Sequence, residues 1–240
     1  MSKNEVDQAS YFDKEVEYFA SFQDKDDPHQ SSVITYFLDC LAKQSPGKRV
    51  LEVGCGTGMY TVPLLRAGYS VTGVDLSQAS LDECRKRADA AGLGANLELI
   101  CVSGTSMEVP VEYDAVVGKH ILHHVGDIEG VAASCFKALK KGGIALFMEP
   151  NPICPFWLLY ITANGKRQWA IEKGILDCFP GSLRKVFRNS GFVDAVTEYY
   201  GVVPASLVRL FPSFAKLNWA LNSIPFFRNV MALQLLIAKK

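Results

Sequence analysis

The sequence predicts an α/β protein, a mainly parallel sheet with helices packed on both faces. Two patterns carry that prediction. Short runs rich in apolar and β-branched residues (50–53, 70–74, 97–102, 115–117 and 144–148) alternate with helix-like stretches at 60–67, 77–91, 120–125 and 128–139. Gly68, Gly92 and the pair Gly142-Gly143 stand where those stretches end, positions that favour a left-handed cap. Composition agrees: 240 residues, 49% hydrophobic and 21% charged, are enough for one large core and too ordered in character for a disordered chain.

Each element follows from local chemistry. The run at 50–53 is a buried strand by its apolar continuity. Ser77 is placed as the N-cap of the helix that follows. After Glu149 the pattern breaks: Pro150, Pro152 and Pro155 open an irregular insert rich in aromatics, including Phe156, Trp157, Tyr160 and Trp169. Periodicity returns as a helix at 182–190 ended by Gly191, a strand at 193–199, a helix at 206–220 and a closing strand at 230–238, expected antiparallel. The expected plan is one domain: an amino-terminal helical cap (1–44), a ligand-binding core (45–150), a substrate-side insert (151–181) and closing strands and helices (182–240).

The chemistry concentrates at the strand tips. Glu52-Val53-Gly54-Cys55-Gly56-Thr57-Gly58 ends the first strand, and Asp75-Leu76 ends the second. Glycines at alternate positions let the backbone turn tightly and approach a ligand. An acid at the next strand tip can accept hydrogen bonds from both hydroxyls of a ribose. Together they describe a pocket for an adenosine-containing cofactor. A dinucleotide fingerprint requires a further glycine at position 59, which is Met59, so a nicotinamide-dependent oxidoreductase is a remote alternative.

With Gly104 to Pro110, Tyr113-Asp114-Ala115-Val116-Val117 with His123-His124, and Leu139-Lys140-Lys141-Gly142-Gly143, the chain resembles the class I S-adenosylmethionine-dependent methyltransferases. That resemblance implies a Rossmann-like, seven-stranded sheet and methyl transfer to a small organic acceptor. It implies that Gly54, Gly56 and Gly58 pack under the methionine moiety, with Cys55 a small residue inside the same cofactor-binding loop and Glu52 near the ammonium. Asp75 would hold the ribose, Leu76 would touch the adenine, and the backbone around Ser106 would meet the base edge. Thr105 stands where the family usually carries an acid. Lys119, directly after the fourth strand, would meet the cofactor carboxylate or an anionic substrate. A non-catalytic S-adenosylmethionine-binding regulatory or scaffold module is the second reading.

Methyl transfer to a hydroxyl or an acidic carbon also needs a base. His120, His123 and His124 stand at i, i+3 and i+4, and with Glu149 they are the candidates; His120, nearest the strand end, is the preferred one. No metal is expected. Tyr11 and Tyr18 from the amino-terminal cap, and Phe156, Trp157 and Tyr160 from the insert, are candidates to line the acceptor pocket, which would suit an apolar or lipid-like acceptor. Oxygen is the expected acceptor atom, then carbon, then nitrogen.

Lys plus Arg and Asp plus Glu both number 25, so there is no global field for nucleic acid. Gly118-Lys119-His120-Ile121 also replaces the Asn/Asp-Pro-Pro-Tyr motif used on exocyclic amino groups. Seven cysteines without CxxC pairs, and a start without a signal-peptide core, point to the cytoplasm. The apolar, proline-broken segment 207–227 is expected to be a buried helix; contact with a membrane surface is the less favoured alternative.

Overall fold

The computed structural model describes residues 3–23, 27–109, 112–155, 157, 172–201, 205–222 and 224–240. Phe156, Tyr160 and Trp169 lie outside them, and the side chain of Phe22 is likewise not described.

Seven strands form one sheet: β1 (Arg49–Val53), β2 (Ser70–Asp75), β3 (Leu97–Cys101), β4 (Tyr113–Lys119), β5 (Leu139–Pro150), β6 (Asp194–Tyr200) and β7 (Leu233–Lys239), in the order β3-β2-β1-β4-β5-β7-β6. All pairs are parallel except those of β7, which runs antiparallel to both neighbours. This is the Rossmann-like α/β fold expected from the sequence, with the antiparallel last strand.

The period of two along each strand sorts side chains onto the two faces. Val50, Val71, Val117, Leu146 and Ile237 face one helical layer. It is built from α3 (Pro28–Gln44), α4 (Thr61–Arg66) and α5 (Gln78–Ala90). Leu51, Val74, Val116, Phe147 and Leu236 face the other, built from α6 (Ile128–Ala138) and α7 (Pro180–Asn189). β4 is buried from Tyr113 to Gly118, as a strand covered on both faces must be. Ser77 Oγ accepts from the Ser80 amide at 3.0 Å and so caps α5.

Several boundaries differ from the sequence reading, each for a physical reason. Residues 120–125 are a turn rather than a helix. The Glu149 carboxylate takes the amides of Ile121 and Leu122, both at 2.9 Å, and His120 sits at φ 53°. Gly142 and Gly143 lie within β5 rather than at the end of α6. The helix stops at Ala138 and the strand begins at once, with an irregular register against β4. The amino-terminal cap is two things. α1 (Lys3–Lys14) and α2 (Val16–Gln23) border the ligand side, whereas α3 buries Val33, Phe37 and Leu41 against the sheet.

The expected helix at 206–220 is broken at Pro212 into α8 (Ala205–Leu210) and α9 (Ala215–Asn222). Among its described residues burial is partial: Val208 and Asn218 are fully buried, whereas Leu210 is 71% exposed and Phe226 is 82% exposed. Among the described residues, no helix is long and apolar enough to cross a membrane.

Candidate active site

A cavity of about 910 Å³ opens beyond the carboxyl ends of β1, β2 and β4, where ligands of such sheets bind. Its floor is the glycine loop. Gly54 and Gly56 adopt φ 69° and 51°, a region that penalises a side chain. A Cβ on Gly54 would strike Ile121, while one on Gly56 would project into open space. Backbone therefore forms the surface at Gly56, and the space beside it is available to a ligand.

Asp75 is held in place from two sides. Its Oδ2 accepts from the Gly56 amide at 2.8 Å and its Oδ1 from the Ser77 amide at 2.9 Å. Burial raises its pKa, and the amide bonds oppose that rise. Glu52 is buried behind the loop, with Thr61 Oγ1 donating to its Oε2 at 2.6 Å; burial pushes its carboxyl up to about 8. Cys55, Thr57, Leu76, Ser103, Gly104 and Thr105 complete this half of the wall. Ser103 and Thr105 share a hydroxyl–hydroxyl bond of 2.8 Å.

Two expected cofactor residues are placed elsewhere. Gly58 packs against Cys84 of α5, away from the cavity wall, because its backbone has already turned into the approach to α4. Ser106 is exposed and its amide bonds back to the Ser103 carbonyl at 3.2 Å, so the cavity wall there is formed by residues 102–105.

The other half of the cavity gathers the three histidines, which the structure separates by charge. His123 is buried between two carboxylates, with Nδ1 2.5 Å from Glu149 and Nε2 3.2 Å from Glu172. Burial alone would lower its pKa, yet the two acids hold it up at about 9, so both ring nitrogens are committed. Glu149 itself is 0% exposed, lies off the cavity wall and is filled by three N–H donors, so it is a scaffold for the turn rather than an open base. His124 lines the cavity edge-on to Phe12, ring centroids 5.7 Å apart.

His120 is the neutral member. Burial, then the charge of Lys119, His123 and His124, pull its pKa well below the usual value. It lines the cavity, and its Nε2 is buried with no hydrogen-bond partner among the described residues. His123, His124 and Glu172 each bring one ligand atom within 4.8 Å of the others. A divalent cation there would have to displace the proton that His123 shares with its acids.

Tyr11 lines the cavity, but Tyr18 does not; it is 55% exposed on the outer side of α2, and Phe19 points inward in its place. Trp157 reaches the cavity, edge-on to His120 at 6.2 Å, while its Nε1 donates to the Ala232 carbonyl. Phe156 and Tyr160 fall outside the described residues. Gln8, Ser103 and Glu172 are not signalled by the sequence, and Phe19 is signalled only as one of the aromatics of the amino-terminal cap. The helical spacing of Phe12 and Phe19 carried a usable signal for Phe19, whereas nothing near Glu172 marks it as a partner of His123.

Residues 50–143 match a family model described as a methyltransferase domain. A ubiquinone biosynthesis O-methyltransferase of Idiomarina loihiensis is 37% identical over 117 residues, covering 49% of this chain and 48% of that protein. One of Thiobacillus denitrificans is 33% identical over 149 residues, covering 60% and 64%. The chain thus spans about half to just under two thirds of the length of these curated relatives. Among solved structures, a SAM-dependent methyltransferase of Thermotoga maritima superposes with a TM-score of 0.68 at 16% identity, covering 97% of this chain and 99% of that one. Magnesium protoporphyrin IX methyltransferase of Synechocystis, solved with bound SAH, gives 0.66 at 17% identity, covering 99% and 100%. Residues 50–143 thus match a methyltransferase domain in sequence, and the whole chain shares its fold with solved SAM-dependent methyltransferases.

Proposed function

We propose that this single domain transfers a methyl group from S-adenosylmethionine to a small organic acceptor, with oxygen the favoured acceptor atom. The observation that carries this reading is the pairing of Gly56 and Asp75 at adjacent strand tips. The Gly56 amide fixes the carboxylate at the cavity wall, and the bare Gly56 backbone leaves room beside it. Asp75 would hold the ribose, with Gly54, Cys55 and Glu52 toward the methionine moiety and Leu76 toward the adenine. When bound, the cofactor supplies a methyl group on a sulfonium, already activated toward a nucleophile.

The chain's own contribution is position and proton removal. Orientation within an enclosed site supplies several kcal/mol of a displacement barrier. His120 is the residue in a state to accept a proton, since it is neutral, faces the cavity and has an uncommitted Nε2. His123, clamped as a cation, orients the turn. Phe12, Phe19 and Trp157 exclude water from the acceptor side and suit an apolar body. The curated relatives named as O-methyltransferases support oxygen as acceptor.

Calorimetric titration with S-adenosylhomocysteine and with NADH tests the cofactor, and transfer of labelled methyl to a panel of hydroxyl compounds tests the reaction. Binding of S-adenosylhomocysteine alone, followed by label transfer, is the expected result. Binding of NADH alone would refute the reading.

A further inference from the structure

Lys119 is a charge without a match. It ends β4, lines the cavity, and sets its ammonium 5.1 Å from the centroid of the buried Tyr60 ring. Among the described residues no carboxylate comes within ion-pair distance of it. The acids around the site are already engaged: Asp75 by two backbone amides, Glu52 by Thr61, and Glu149 and Glu172 by His123. A cation–π contact of this kind is a weak partner for a full charge. Removing an ammonium from water costs several kcal/mol. Burial accordingly pulls Lys119 down to about 8. An uncompensated cation of this sort is destabilising, and such groups cluster where a ligand uses them.

Its neighbour supplies the complementary function. His120 follows directly in sequence, and the charge of Lys119 is one of the causes that keep His120 neutral. The strand tip therefore offers a cation that can hold an oxygen anion beside a neutral base that can take the proton. Phe12, Phe19, Ile121 and Val125 give the wall an apolar stretch, bordered by the polar His124, Asp127 and Glu172.

We propose that Lys119 holds the reacting oxygen of the acceptor, and that the acceptor is an apolar molecule bearing a weakly acidic hydroxyl. This rests on the methyltransferase reading above. The hydroxyl proton passes to His120 Nε2, and the oxygen is held as an anion by the Lys119 ammonium. The oxygen lone pair forms the new O–C bond, and the C–S bond breaks with its electron pair remaining on sulfur. A carboxylate on the cofactor has the same chemistry as an oxyanion on the acceptor, so the test separates the two.

The protein is compared with Lys119→Met, which keeps length and removes charge, and with Lys119→Arg. S-adenosylhomocysteine affinity is measured by calorimetry. The complex is then titrated with 4-nitrophenol, whose ionised form is read by its colour. The expected result is S-adenosylhomocysteine binding unchanged within about threefold, with dye binding weakened about tenfold or more in Lys119→Met and its ionisation moved back toward the free value. Lys119→Arg retains dye binding. Lys119→Met also melts above the wild-type protein, because a half-buried cation with no ion-pair partner among the described residues is gone. Loss of S-adenosylhomocysteine affinity with dye binding intact assigns Lys119 to the cofactor and overturns the proposal. Equal dye binding in all three proteins, or none in the wild type, overturns it as well. A wild-type protein that binds no S-adenosylhomocysteine refutes the underlying methyltransferase reading instead.

Discussion

Replacing Glu149 with glutamine asks whether the turn carrying the histidines is held by charge. Glu149 is 0% exposed, receives the Ile121 and Leu122 amides at 2.9 Å and faces His123 Nδ1 at 2.5 Å. Glutamine keeps the volume and one acceptor oxygen for the amides, but it removes the carboxylate opposite the imidazole. Burial alone would lower the His123 pKa; that carboxylate, ahead of Glu172, is what lifts it from 6.5 to about 9. A rise of that size favours the folded state by about 3 kcal/mol while the imidazole is protonated. The folded value is the higher one, so the contribution is complete below pH 6.5 and fades as pH climbs through about 9. Glu149→Gln should therefore lose about 3 kcal/mol near pH 6, a fall in Tm of roughly 6–12 °C for a chain of this size. Above about pH 9.5 the loss should shrink to about 1 kcal/mol, the residue of altered hydrogen bonding. Urea unfolding of both proteins at the two pH values measures this directly. Equal losses at the two pH values, or no loss, would refute the charge argument.

Other substitutions probe separate parts of the site. Gly56→Val places a side chain in the open space beside Asp75 at φ 51°; stability should fall by about 1–2 kcal/mol and S-adenosylhomocysteine affinity by about tenfold or more in calorimetry. His120→Asn keeps a residue that tolerates positive φ, so its melting curve should stay close to wild type while turnover drops about 10²–10⁴-fold; unchanged turnover removes His120 as the base. Ser77→Ala deletes the cap of α5 and should cost about 1 kcal/mol in denaturant unfolding. Gly174→Ala drives a Cβ into the His123 carbonyl, and the forced shift should cost about 1–3 kcal/mol and raise the acceptor KM more than it changes S-adenosylhomocysteine binding.

The cofactor half of the site was legible in sequence because its parts are local. Gly54, Gly56, Asp75 and Leu76 sit at strand ends that short apolar runs announce, and backbone geometry alone sets their relation. Tyr18 and Phe19 show the limit of that approach. Both are aromatic and adjacent on one helix, and the rotation that turns one inward is set by packing against α5. The acceptor half depends on contacts between distant segments. Glu172 meets His123 only after the chain has left β5 and returned, so no spacing rule reveals it. The turn at 120–125 carries an apolar pattern that fits a helix, while the deciding influence, the Glu149 carboxylate, arrives from the neighbouring strand. Likewise Gly142 resembled a helix cap, but its amide binds Lys240 at the far end of the chain.

The stitching between the two segments above β5 and β7 bears on how acceptor preference can be changed. Asn151 Nδ2 donates to the Met231 carbonyl at 2.9 Å, Cys154 Sγ to that of Val230 at 3.2 Å, and Trp157 Nε1 to that of Ala232. Gln234 adds a bond of 3.0 Å to the Pro150 carbonyl. The two loops therefore behave as one cassette across a shared seam. Transplanting either of them alone into a homologous scaffold would strand buried donors on one side of that seam, so any exchange of acceptor preference has to move both together.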